Sequence, residues 1–142
     1  MNDAAITKLI AFRRLEENWN GYGCCAWYDG EESEEYIRQV TTLLRTLPYE
    51  MQVFPLQNTR IVQIEYQDDD WYIEFELNQD HTAHVYEETG DYGSVTDEHR
   101  EYACYWWQIA YLLKNGGTLG RRDETPKEEA ERHQQEQGAE RP

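Results

Sequence analysis

Apolar residues recur every three or four positions near the start of this chain and every second position through its middle, and the change of period divides it into helices and strands. Ile6, Leu9, Ile10 and Leu15 share one helical face behind Asp3, a residue suited to capping, and predict a first helix that ends near Glu17. Tyr36, Ile37, Val40, Leu43, Leu44 and Leu47 repeat the helical spacing in a second helix. Asp29 followed by Glu32 forms a capping-box pattern at its start, and Pro48 stops it.

From Met51 the period is two. "MQVFP" predicts a short strand that Pro55 ends or confines to a sheet edge. "IVQIEYQ" places Val62, Ile64 and Tyr66 on one face, "WYIEFEL" places Trp71, Ile73, Phe75 and Leu77 on one face, and "HTAHVYE" turns Ala83 and Val85 inward. A turn at 67–70 sets Val62, Ile64 and Tyr66 opposite Phe75, Ile73 and Trp71. A second turn at 78–80 sets Phe75 opposite Ala83 and Ile73 opposite Val85. The opposite face then carries Gln63, Glu65, Tyr72, Glu74, Glu76, His84 and Tyr86.

A third helix is expected from about Ser94 or Thr96 to Lys114, with Tyr102, Tyr105, Trp106, Ile109, Leu112 and Leu113 as its apolar stripe and "NGG" at 115–117 as its stop. Beyond Thr118 the chain is polar and "KEEAERHQQEQ" has no apolar face. The expectation is one α+β domain over 1–117, with two N-terminal helices, a three- to four-stranded antiparallel meander and one C-terminal helix on one sheet face. Residues 118–142 read as a disordered tail or a frayed helix.

The 142 residues suit a single core. No apolar run approaches the roughly 20 residues that cross a bilayer, and the first residues lack a secretory pattern, so a cytoplasmic protein without membrane contact is expected. Cys24, Cys25 and Cys104 are odd in number and suit neither a disulfide framework nor a zinc cluster. The 29 acids outnumber the 13 Lys and Arg, a formal net charge of −16. Such a surface repels nucleic acid and attracts basic proteins.

"EENWNGYG", Glu16 to Gly23, reads as a corner between helices. Asn20-Gly21 suits positive φ, and Trp19 and Tyr22 are placed to pin the corner to the core. A phosphate loop would need a preceding strand and a Lys, but a helix precedes this stretch and no Lys or Arg lies between Arg14 and Arg38. The pattern Leu15-x-x-Asn18-Trp19-Asn20-Gly21-Tyr22-Gly23, then an amphipathic helix, "VFP", "VQIEY" and "YIEFEL", resembles a family of small uncharacterised bacterial and phage proteins. That family carries an Asn-Trp-Asp/Asn-Gly-Tyr-Gly corner followed by an acidic β-meander. The resemblance covers about residues 15 to 78 and implies no established activity. Cys24-Cys25-Ala26-Trp27 departs from the small and Pro-containing residues expected there.

Catalytic chemistry finds little footing. His81 and His84, three apart on a strand, face opposite sides and cannot chelate one ion. Cys24 has no positioned base, Glu74 and Glu76 lack a second motif, and "QDDDW" lacks the Gly and distal Glu of a calcium loop. No catalytic residue, metal site or cofactor is therefore assigned. The remaining signal is placement of acid: residues 65–101 hold 13 acids against Arg100 alone, −12 of the net charge. The expected partner-binding residues are Glu65, Asp68, Asp69, Asp70, Tyr72, Glu74, Glu76, Asp80, Tyr86, Glu87, Glu88 and Asp91. The expected function is a non-enzymatic acidic binding or inhibitor protein, a nucleic-acid mimic of the anti-CRISPR or anti-restriction kind. It would occupy the basic groove of a nucleic-acid-handling enzyme or nuclease and bind no nucleic acid itself. The alternatives are a toxin-neutralising or housekeeping interaction module using aromatics, and, last, a small hydrolase using Glu74 or Glu76.

Overall fold

The computed structural model describes residues 1–21, 26–57, 59–90 and 98–119. Its elements are α1 (Asp3–Ala11), a 3-10 turn (Phe12–Arg14), α2 (Gly30–Thr46), β1 (Gln52–Pro55), β2 (Val62–Gln67), β3 (Trp71–Leu77), β4 (Thr82–Thr89), β5 (Glu98–Tyr105), a second 3-10 turn (Trp106–Gln108) and α3 (Ile109–Lys114). The five strands form one antiparallel sheet in the order β1-β2-β3-β4-β5. Val53, Val62, Ile64, Ile73, Phe75, Leu77, Ala83 and Val85 project from one sheet face into a core shared with Leu9, Tyr36, Val40, Leu44, Ile109 and Leu113 of the helices. The result is a two-layer α+β fold whose second sheet face carries no helix among the described residues.

α1 is shorter than its pattern suggested. It ends at Ala11 and tightens into the 3-10 turn, so Phe12 enters the core, Ile10 stays 42% exposed and Leu15 is half-buried. Asn2, not Asp3, occupies the N-cap position, and it has a further task. Buried, it donates to Leu44 O and Tyr49 O and accepts from Met51 N, joining the first helix to the end of the second and the start of the sheet. At the start of α2 the expected capping box is absent; instead Asp29 N donates to Ser33 Oγ at 2.7 Å.

The corner forms as expected at its described end, with Gly21 at φ +80, and Asn18 also takes a positive φ of 64°. Trp19 there is only half-buried against the core. The deeper anchor is Trp27, 1% exposed, its Nε1 donating to Ile61 O. It packs edge-on against Phe12 and is followed by Tyr36 and Trp106 in a row of rings beneath the sheet. Tyr22, Gly23, Cys24 and Cys25 lie outside the described residues.

The sheet departs from expectation in strand count and register. The stretch expected to open the third helix is β5, pairing with β4 over Thr82↔Tyr105 to Thr89↔Glu98; only Ile109–Lys114 is α-helical. The aromatic spacing that suggests a helix also satisfies alternation, with Tyr102 and Cys104 half-buried and their neighbours exposed. The free edge of β4 decides between the two. In both hairpins the register is displaced by two residues. Val62 faces Leu77, Ile64 faces Phe75, and Phe75 faces Val85. Asp68 Oδ1 accepts from Asp70 N and Trp71 N, which moves the first turn one residue along. His81 at φ 68 closes a three-residue loop in the second. A displacement of two keeps every side chain on its face. β1 is the expected edge strand ending at Pro55. Tyr36 Oη accepts from Val62 N at 2.7 Å and donates to Leu77 O at 2.7 Å, spanning the last residue pair of β2 and β3 from α2.

The body extends past the expected boundary at 117: Thr118 and Leu119 donate to Glu87. Residues 120–142 lie outside the described residues. Among the described residues no helix is long and apolar enough to cross a membrane.

Candidate functional site

Strand register assembles the helix-free face in rows. One runs Gln52, Glu65, Glu74, Tyr86, Glu101; the next runs Phe54, Gln63, Glu76, His84, Ala103; a third runs Gln67, Tyr72, Glu88, His99. Glu65 and Glu74 are direct cross-strand neighbours, which places their Cβ atoms about 5 Å apart. Glu76 lies two residues along β3 from Glu74, about 6.7 Å. Like charges so close are unfavourable, and they add to the effect of burial on Glu74. Its carboxyl is held above the ordinary range, first by partial burial and then by Glu65 and Glu76.

Glu65, Glu88 and Glu101 on the same face have side-chain partners. Tyr72 Oη donates to Glu65 Oε2 at 2.7 Å, Tyr86 Oη lies 3.3 Å from Glu88 Oε2, and His84 Nε2 lies 3.9 Å from Glu101 Oε2. The rings of Tyr72, Tyr86 and His99 succeed one another across the strands, with centroids 6.2 and 6.4 Å apart. Burial and the bond to Glu65 raise the Tyr72 phenol further, so it remains a donor at any physiological pH. The face thus presents anions held by aromatic hydroxyls. At the β2–β3 end, Asp68, Asp69 and Asp70 line a hollow of about 390 Å³ with Trp71, Tyr72 and Glu88.

Of the expected partner-binding residues, Glu65, Tyr72, Glu74, Glu76, Tyr86 and Glu88 share the helix-free face, and Asp68, Asp69 and Asp70 form its rim. Asp80 stands at the opposite end of β3, where its Oδ1 accepts from Thr82 N and Thr82 Oγ1; it shapes the β3–β4 turn. Asp91 lies outside the described residues. Glu87 is a correction. It points to the helix side, is 0% exposed, and receives Trp71 Nε1, Tyr102 Oη, Thr118 N, Thr118 Oγ1 and Leu119 N. No partner reaches it in this conformation. The alternation of β4 carries the signal: Ala83 and Val85 are inward, so Glu87 is inward too. Glu101 and His99 join the open face unannounced, because their strand reads as helix.

Candidate catalytic groups are scattered. His81 lies in the β3–β4 turn rather than on a strand and stacks flat on Trp106 at 4.3 Å, whereas His84 is on the open face. Burial pushes the Cys104 thiol up to about 11, which leaves little thiolate at neutral pH. Among the described residues no three His, Cys, Asp or Glu are grouped to hold a metal ion. No family model matches the chain, and comparisons with curated proteins and with solved structures give no significant match.

Proposed function

We propose that this protein is a non-enzymatic acidic binding or inhibitor protein whose helix-free sheet face occupies a basic groove on a nucleic-acid-handling protein. The observation that carries this reading is the Glu65–Glu74 pair with Glu76 beside it, on the one sheet face that no described helix covers. A fold gains no stability from crowding carboxylates there. A cationic partner relieves the crowding, and its side chains replace the protons and counterions that Glu74 otherwise draws in. Tyr72 and Tyr86 add flat surface between the charges, and the Asp68–Asp70 hollow receives a side chain at the rim. The phage-type version, anti-CRISPR or anti-restriction, rests on the resemblance of residues 15–78.

The test compares two triple charge reversals of equal net charge, Glu65/Glu74/Glu76→Lys on the face and Glu128/Glu129/Glu131→Lys near the C-terminus. The readout is protection of plasmid DNA from purified restriction and CRISPR nucleases. Binding is also compared at about 0.1 M and about 1 M salt, where the Debye length falls from about 10 Å to about 3 Å. The proposal expects loss from the face triple only, expressed mainly in a slower on-rate, and steep weakening by salt. Equal loss from both triples reduces the effect to bulk charge. No protection by the unmodified chain removes the mimic.

A second reading, a toxin-neutralising or housekeeping interaction module, is favoured by a separate observation. Tyr105, Trp107 and Tyr111 are 54%, 76% and 69% exposed within seven residues of one another. Binding through them would be insensitive to salt.

A further inference from the structure

Two hollows meet along α2, apart from the acidic sheet face. The first, about 340 Å³, lies against Glu31, Glu32 and Glu35. The second, about 380 Å³, lies between Leu43 and Thr46 of α2 on one side and Trp106, Trp107 and Ala110 on the other. Gln39 lines both. Its Nε2 is 3.2 Å from Glu35 Oε1 and its Oε1 is 2.9 Å from His81 Nε2, so one side chain bridges the acidic and the aromatic halves.

The aromatic half is preformed. Trp106 donates through Nε1 to Thr82 O and stacks on His81 at 4.3 Å, which fixes the floor. Trp107 stacks on Tyr105 with 8° between the rings and leaves three quarters of its surface in solvent. A rigid wall that needs no ordering on contact loses little entropy in binding, and an exposed Trp beside an apolar hollow is the usual form of an interface hot spot. The acidic half has a partial structural explanation, since Glu31 and Glu32 complement the α2 dipole in its first turn. That does not account for Trp107, nor for two hollows that adjoin at Gln39 without a Lys or Arg lining either.

We propose that this groove docks a segment of a partner protein that carries a cationic cluster and, some 15 Å away, one bulky apolar anchor. The distance follows from the ten residues of α2 between the centres of the two halves, at about 1.5 Å each. In an extended segment it corresponds to three or four intervening residues. The cations lie against Glu31 and Glu32, and the anchor enters between Leu43 and Trp107. This surface is independent of the acidic sheet face.

Fluorescein-labelled peptides test it by anisotropy on the full chain: one with Arg-Arg-Lys and a Leu-Phe pair separated by four Gly/Ser residues, one with the cations alone and one with the anchor alone. The two-part peptide is expected to bind about tenfold more tightly than either half. Trp107→Ala brings it to the cation-only level, and Glu31→Gln with Glu32→Gln brings it to the anchor-only level. Reversal of Glu65, Glu74 and Glu76 leaves it unchanged, so failure here and failure of the sheet-face reading are separable. Equal binding of the cation-only peptide, or indifference to Trp107→Ala, overturns the proposal. So does self-association in sedimentation that Trp107→Ala abolishes, which assigns the groove to a second copy. A synthetic 120–142 peptide that displaces the probe assigns it to the chain's own C-terminal residues and equally overturns it.

Discussion

Replacing Glu87 by glutamine measures how firmly a buried carboxylate fastens the chain after α3 to the sheet. Its oxygens receive five donors at 2.5 to 3.2 Å: Trp71 Nε1, Tyr102 Oη, Thr118 N and Oγ1, and Leu119 N. Gly117, at φ +60, makes the approach feasible, because a Cβ there would lie 2.0 Å from Glu87 Oε1. A hydrogen bond to a charged group contributes about 1.5–3 kcal/mol net, and a buried donor left without an acceptor costs about 1–3 kcal/mol. In the amide the hydroxyls of Tyr102 and Thr118 can rotate to accept, but the N–H groups cannot. One charged bond lost and one N–H stranded give a cost of about 3 kcal/mol for Glu87→Gln. Glu87→Ala, which strands more, should cost about 4–5 kcal/mol. Thr118→Val should cost about 2 kcal/mol, and in combination with Glu87→Gln the two losses should fall short of additivity by about 1 kcal/mol. Urea unfolding at pH 7, followed by circular dichroism and tryptophan fluorescence, reads these values at constant m. Glu88→Gln, one residue along on the open face, is the control, expected within about 0.5 kcal/mol. A Glu87→Gln variant no less stable than that control refutes the fastening. The pH dependence gives a second check. Burial pushes the Glu87 carboxyl up, but bonds from Tyr102, Thr118 and Trp71 outweigh it and hold it below the ordinary range. Its stabilisation is therefore complete above the unfolded value and lost as pH falls through the folded one. The gap between wild type and Glu87→Gln should therefore narrow as pH falls below the ordinary carboxylate value of about 4.3 and through the lower folded one.

Trp27→Ala should cost about 4 kcal/mol by the same assay, because the ring is 1% exposed and its Nε1 bonds Ile61 O; Trp19→Ala, at a half-buried site, should cost clearly less, and the reverse order would misplace the anchor of the corner. Glu74 should behave oppositely to Glu87: its folded-state carboxyl is raised, so the native state binds more protons just above the ordinary carboxylate range and stability falls as pH rises through that window. Glu74→Gln should flatten this slope in a pH series of melting temperatures; an unchanged slope would show that crowding with Glu65 and Glu76 has no energetic consequence.

The hydrophobic pattern made α2, β1 to β4 and the membership of each sheet face legible, because burial on one side imposes a period. It could not separate strand from helix over Glu98–Tyr105, where aromatic spacing fits both and the decision comes from the unsatisfied edge of β4. The acidic face was legible for the same reason as the core: Glu65, Glu74 and Glu76 occupy the positions that alternate with buried ones. Glu87 escaped because charge suggested surface while parity indicated core, and parity prevailed once five donors surrounded the carboxylate. The α2 groove was illegible, since Gln39, His81 and Trp107 meet only through the tertiary fold.

Alternation cannot distinguish a hairpin from the same hairpin displaced by two, since both bury the same side chains. Tyr36 can. Its hydroxyl reaches Val62 N and Leu77 O together only while those residues face one another. In the displaced hairpin Val62 faces Phe75 and the Leu77 carbonyl moves about 7 Å along the strand, out of reach. α2 therefore acts as a gauge laid across the end of the sheet, seating fully only when the turn contains the right number of residues. An insertion or deletion among Asp68, Asp69 and Asp70 would be felt at the far end of the hairpin, roughly 20 Å away, as a helix that no longer closes on its strands.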